Sequence, residues 1–170
     1  MAKSILDGKR FLAVDDEPDV LEVLEEEILG VAPNALLDKA TSYQEATNLI
    51  KSRHYDLVIL DIMGVRGFDL LDLAVNRNLS VAMLTAHSLN PESLKRSFEM
   101  KARTYLPKDK LGEIVPFLED VLEDNDIPSG WIKTMKRLDD YFDKCWGKNW
   151  EMSDAKFFQN FDKNIGHLKL

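Results

Sequence analysis

Short apolar runs alternate with amphipathic stretches along most of the chain. The run FLAVDD (11–16) ends in two acids. After Pro18, DVLEVLEEEIL sets Val20, Leu21, Leu24, Ile28 and Leu29 on one stripe at helical spacing, with glutamates on the other side. Pro18 suits the first turn of that helix, and Gly30 and Pro33 stop it. A weaker strand follows at ALLDKAT (35–41), then a helix opened by Ser42 and Glu45, a capping-box pair. YDLVILD (55–61) reads as a strand, FDLLDLAV (68–75) as a short helix and SVAMLTA (80–86) as a strand. NPESLKRSFEMK (90–101) is a helix with Asn90 as its cap and Pro91 at its first position. RTYLPK (103–108) is a strand and LGEIVPFLEDVLED (111–124) a helix, in which Pro116 predicts a kink or a late start.

This order is βα repeated five times. Strands that are apolar throughout, separated by helices, predict an α/β fold: a (βα)5 doubly wound parallel sheet with helices on both faces. Ligands in such sheets bind at the carboxyl ends of the strands, where the strand order reverses. The first strand ends at Asp15-Asp16, the third at Asp61, the fourth at Thr85 and the fifth at Lys108. If these ends meet, three carboxylates share one edge with a hydroxyl and an ammonium. Three such acids cannot all stay ionised without a counter-charge. A hard divalent cation with oxygen ligands, Mg²⁺, is the natural partner, and Lys108 adds further positive charge.

Each residue also has a plainer reading. Asp15-Asp16 is a common solvated turn pair, Thr85 a common β-branched strand residue, and Tyr105 a common core aromatic. Lys110 competes with Lys108, but Lys108 directly continues the strand. His87 reads as a surface residue, His54 and His167 lack metal spacing, and Glu25–Glu27 reads as a solvated helix face. It is the order of the four strand ends that favours the functional reading.

VDDEP, LVILDIM, MLTA and YLPK, in this order on a (βα)5 chain, resemble the receiver domain of bacterial two-component response regulators, of flavodoxin-like fold. The resemblance covers roughly residues 8–125, and domain bounds of 1–126 for the receiver and 127–170 for a helical C-terminal extension are expected. By that resemblance Asp61 is the phospho-acceptor, and Asp15, Asp16, Asp61 and the main-chain carbonyl of Met63 hold Mg²⁺. Thr85 meets the phosphoryl group, Lys108 ion-pairs with it, and Thr85 and Tyr105 form the switch pair. The implied partners are a sensor histidine kinase or phosphotransfer protein and a downstream protein target. Output is expected through the fourth helix, fifth strand and fifth helix together with the extension. Two features depart from the family. Val65 stands where a proline is usual and Gly67 comes two residues early, so the loop after Asp61 is shortened. Asp109 follows Lys108 in place of a cis proline. A rival reading is a Mg²⁺-dependent phosphatase-like hydrolase with an aspartate nucleophile. Such enzymes carry a second acid two residues on, where this chain has Met63. A receiver-like module that is never phosphorylated is a further rival, opposed by the full acid, Thr and Lys set.

Charge and composition narrow the partners. The net charge is −8 over 170 residues, which repels nucleic-acid phosphates, so no direct DNA binding is expected. Residues 1–127 hold 14 basic and 24 acidic residues, whereas residues 128–170 hold 8 and 6. A lone Cys145, no signal-peptide pattern and no membrane-length apolar run make a cytoplasmic, non-membrane protein the expectation. All three tryptophans lie beyond the DNDIPSG break. Trp131, Met135, Leu138, Phe142 and Cys145 share one helical stripe widened by Ile132 and Tyr141, followed by Phe157, Phe158 and Phe161. A patch of that size is not left wet. It is expected to be buried against protein, preferentially in a homodimer through the extension and otherwise on its own receiver.

Overall fold

The computed structural model of the chain describes residues 3–124 and 126–158. Phe161 and His167 lie outside them. Strands β1 (Arg10–Val14), β2 (Leu36–Ala40), β3 (Leu57–Asp61), β4 (Val81–Thr85) and β5 (Thr104–Pro107) alternate with helices α1 (Pro18–Val31), α2 (Tyr43–Ser52), α3 (Gly67–Asn76), α4 (Pro91–Glu99) and α5 (Ile114–Glu123). The strands form one parallel sheet in the order β2-β1-β3-β4-β5. From β1 the chain runs outward to β2, then crosses back to β3 on the other side. The order therefore reverses between β1 and β3, and their carboxyl ends open a crevice. Helix α1 packs with α5, and α2 with α3. The fold is the expected doubly wound flavodoxin-like sheet, with further helix beyond it.

The apolar runs explain the layering. Every residue of β3 and β4 is buried, as continuous apolar strands covered on both faces must be. Strand β2 lies at the edge and is largely uncovered, matching its weaker pattern. In α1, Val20, Leu21, Leu24 and Ile28 face the core. Leu29 was expected on that stripe, yet it is 36% exposed, because it falls at the margin of the buried arc in the last turn.

The predicted caps form, one of them in altered form. Asn90 accepts a hydrogen bond from Ser93 N at 2.8 Å. Ser42 accepts from Glu45 N at 3.2 Å, but the Glu45 carboxylate reaches back one residue further than a capping box requires, to Thr41 N at 3.1 Å. Pro116 accompanies a late start: a 3-10 helix takes Lys108–Glu113, and α5 begins only at Ile114.

The extension forms α6 (Ile127–Trp146), capped by Asp126, which accepts from Ser129 N at 3.0 Å, and followed by a 3-10 helix at Trp150–Asp154. Helix α6 packs on α5 and β5 of its own chain. Trp131, Leu138 and Phe142 are fully buried, Ile132 nearly so, and Met135 and Tyr141 pack half-buried beside them. Cys145, placed on the same stripe by its spacing, is instead exposed. The burial expected of the stripe is thus met within one chain, in the same hydrophobic cluster as the sheet. Each fully buried large side chain is worth roughly 1.5–3 kcal/mol, so three of them favour the docking of the helix on its own domain. Among the described residues, no helix is long and apolar enough to cross a membrane.

Candidate functional site

The sheet brings the four predicted strand ends together. Parallel register pairs Val14 with Leu60 and Asp61 with Leu84, so Asp15, directly after β1, and Thr85, the last residue of β4, flank the end of β3. Asp15 is 0%, Asp61 4% and Thr85 1% exposed. Asp16 is exposed at the mouth. Oxygens of Asp15, Asp16 and Asp61 lie within 4.8 Å of one another.

Lys108 closes the cluster from β5. Its Nζ is 2.8 Å from Asp15 Oδ2, 3.3 Å from Asp61 Oδ1 and 3.3 Å from Glu17 Oε1. Lys110, the alternative lysine, points elsewhere: it pairs with Glu113 at 3.5 Å and sits over the Tyr141 ring. No cis peptide bond occurs among the described residues, so the Lys108–Asp109 bond is trans, as expected for a non-proline.

One lysine does not balance the acids. Burial pushes the Asp61 carboxyl up from 3.8 to about 6, reinforced by the neighbouring Asp15 charge and opposed by Lys108. Burial raises Asp15 as well, against the pull of Lys108 and the Glu17 amide. Burial alone would lower Lys108, but the adjoining Asp15 and Asp61 outweigh it and raise it. Asp15 Oδ1 accepts from Glu17 N at 2.9 Å. Asp15 Oδ2 is buried against the Lys108 ammonium at 2.8 Å, and that one ammonium is shared with Asp61 and Glu17. Two buried acids with raised pKa values that share one ammonium, and a third acid at the mouth, form an oxygen donor set suited to a hard divalent cation.

Two glycines shape the turn from β3 into α3. Gly67 lies so close to the end of β3 that a Cβ there would sit 2.1 Å from the Asp61 carbonyl oxygen. Gly64 has φ +86°, and its Cβ would fall 2.5 Å from Asp16 Oδ2. The space beside the Asp16 carboxylate exists because residue 64 has no side chain. Gly64→Ala should cost about 1–2 kcal/mol in a urea melt, from the left-handed backbone and the displaced carboxylate. An unchanged melt would show that the loop relaxes freely. Met63 is 53% exposed beside this turn.

Thr85 and Tyr105 are tied to the loop between β4 and α4. Thr85 Oγ1 accepts from Ser88 N at 3.0 Å. The Tyr105 ring is completely buried, and burial pushes its phenol up to about 12. Its hydroxyl lies 2.5 Å from Ser93 Oγ, 3.2 Å from Ser88 O and 3.3 Å from Asn90 O. The position of Glu17 against Lys108 was not foreseen, because the contact joins residues 91 apart in sequence. Its only local signal was its place directly after the acid pair. His87, read as a surface residue, is exposed.

A family model described as the response regulator receiver domain matches residues 11–118. The two-component response regulator ARR18 of Arabidopsis thaliana is 35% identical over 105 residues, which is 59% of this chain and 16% of the plant protein. The chain thus spans a small part of that relative's length. A solved response regulator from Chloroflexus aurantiacus J-10-fl is 28% identical with a TM-score of 0.59, covering 68% of this chain and 98% of that one. The receiver domain of NtrX from Brucella abortus is 27% identical with a TM-score of 0.59, covering 68% and 99%. Sequence match and sheet coincide over the same residues: the chain belongs to the response regulator receiver domain family of two-component systems.

Proposed function

We infer that residues 1–126 act as a phosphoacceptor receiver and residues 127–170 as its helical extension. Asp61 takes a phosphoryl group from the phosphohistidine of a sensor histidine kinase or phosphotransfer protein. An Asp61 oxygen attacks phosphorus, a P–O bond forms, and the P–N bond breaks with its electron pair leaving on the imidazole. The observation that carries this reading is the burial of Asp61 at the switch point, with Asp15, Asp16 and Lys108 around it.

Asp15, Asp16, Asp61 and the Met63 carbonyl would hold Mg²⁺, which supplies Lewis-acid neutralisation of phosphoryl charge. Lys108 holds Asp61 Oδ1 in the resting site and offers its ammonium to a phosphoryl oxygen once the group arrives. Thr85 stands at the end of the neighbouring strand with a hydroxyl proton to donate. Burial excludes bulk water from Asp61. The chain is not a conventional enzyme: the group transferred ends on its own aspartate. Output passes to a downstream protein target, without direct DNA binding, in the cytoplasm.

Incubation with acetyl phosphate and Mg²⁺, read by intact mass, should add one base-labile phosphoryl group to the native chain and none to Asp61→Asn. A phosphoryl adduct on the variant overturns the assignment. Calorimetric titration should show Mg²⁺ binding weakened roughly tenfold or more in Asp16→Ala, since one of three carboxylate ligands is gone. Equal affinity would remove Asp16 from the metal site.

A further inference from the structure

The loop of residues 86–90, between β4 and α4, is bonded on three sides at once. Toward the acid site, Ser88 N donates to Thr85 Oγ1 at 3.0 Å. Toward the core, Ser88 O and Asn90 O lie 3.2 and 3.3 Å from the Tyr105 hydroxyl. Toward the extension, Leu89 O accepts from Trp146 Nε1 at 3.2 Å. The residue that donates this last bond is part of an aromatic stack. Trp146 lies parallel to Phe142 with ring centroids 4.4 Å apart, and Trp150 packs edge-on to both. Phe142 in turn meets the Tyr105 ring at 6.2 Å. Five consecutive residues therefore join the hydroxyl at the end of β4, the strand next to Asp61, to the end of α6.

We propose that the end of α6 and the following 3-10 helix report the state of Asp61, docking on the domain while Asp61 is free and loosening when it carries a phosphoryl group. This rests on the phosphoacceptor reading. A phosphoryl group brings a charge of about −1.5 to −2 and three acceptor oxygens. Thr85, one residue past the β4 position paired with Asp61, is the hydroxyl placed to answer them. Turning its oxygen toward the new group withdraws the acceptor from Ser88 N. An amide turned from its acceptor is costly while it stays away from water, so the loop moves to restore a partner. The direction follows from the resting contacts. With Asp61 free, the loop satisfies Thr85, Tyr105 and Trp146 together, so displacement of Ser88 and Leu89 lengthens the bonds to the other two. The far end of the helix is anchored independently: Trp131 Nε1 donates to Ala102 O at 2.7 Å, and Arg137 pairs with Asp120 at 2.7 Å. Loosening is therefore confined to residues from Phe142 onward, with the first turns of α6 as an internal reference.

The test is amide hydrogen exchange on the full chain with Mg²⁺, before and after acetyl phosphate, with the phosphoryl group on Asp61 verified by mass in the same sample. Exchange over residues 142–154 should quicken by about fivefold or more, the lower end of ordinary coupling energies, while residues 127–138 stay near their starting rates. Thr85→Ala should quicken the same residues without any phosphodonor, and Thr85→Ser, which keeps the oxygen, should not. If Asp61 carries the group and residues 142–154 exchange at the same rate or more slowly, the proposal is overturned and the phosphoacceptor reading stands. Unchanged exchange in Thr85→Ala overturns it too. If no phosphoryl group reaches Asp61, the phosphoacceptor reading fails, and the proposal fails with it.

Discussion

Asp61→Asn should make the cation-free protein more stable. Asp61 is 4% exposed, and burial together with Asp15 pushes its carboxyl from 3.8 to about 6, with Lys108 only partly offsetting them. A carboxyl whose pKa is raised in the folded state favours folding in its protonated form. That contribution is fully present below the unfolded value, is lost as pH rises through the folded one, and is absent above it. Asparagine cannot ionise and removes the cost at neutral pH. The gain should be about 2–3 kcal/mol near pH 7.5, converting the shift at 1.36 kcal/mol per pH unit. Guanidinium unfolding in chelator is the measurement. Below about pH 4, where Asp61 is protonated in both states, the two proteins should converge. Added Mg²⁺ should stabilise the native chain more than the variant, since the cation offsets the repulsion that asparagine has already removed. A variant less stable than the native chain at neutral pH would show that Lys108 more than compensates the buried acids, and the argument for a cation from unbalanced charge would fall.

Trp131→Ala should be the most damaging substitution in the extension. The side chain is completely buried, packs edge-on against Phe98 with centroids 5.5 Å apart, and donates to Ala102 O at 2.7 Å. Its loss leaves a cavity and a buried carbonyl without its donor, a cost of about 3–5 kcal/mol. Met135 lies one turn on and is only half-buried, so Met135→Ala should cost about 1 kcal/mol. Chemical denaturation of both variants gives the ranking. Similar small effects would mean that α6 is held by its polar links, such as Arg137 to Asp120 and Tyr141 to Asp109, and not by its stripe. Trp131 lies against β5 and away from the acids, so Mg²⁺ affinity under native conditions should be unchanged in Trp131→Ala.

Much of this was legible in the chain because it is local. Strand β3 announces itself as four apolar residues closed by Asp61, and the register of a parallel sheet fixes which ends are neighbours once the strand order is given. Asn90, Ser42 and Pro18 mark helix starts because a cap or a missing N–H acts within one turn. Boundaries shifted where tertiary packing overrode pattern: residues 108–113 coil as a 3-10 helix before α5, and Leu29 turns outward at the margin of its stripe.

The sequence by itself determined the five βα units, the edge on which the acids gather and the lysine that faces them, since periodicity and strand ends are properties of short stretches. Only the tertiary structure decided what covers the tryptophan stripe. An amphipathic helix carries the same pattern whether it meets a second copy or its own domain. The answer lay in Ala102, Thr104 and Asp120, which receive Trp131, Thr134 and Arg137 across 17 to 30 residues of chain. The same holds for Glu17 on Lys108, Gly64 beside Asp16 and Trp146 on Leu89. Each joins residues far apart in sequence, so the pairing itself cannot be read locally and depends on where the sheet places the two segments.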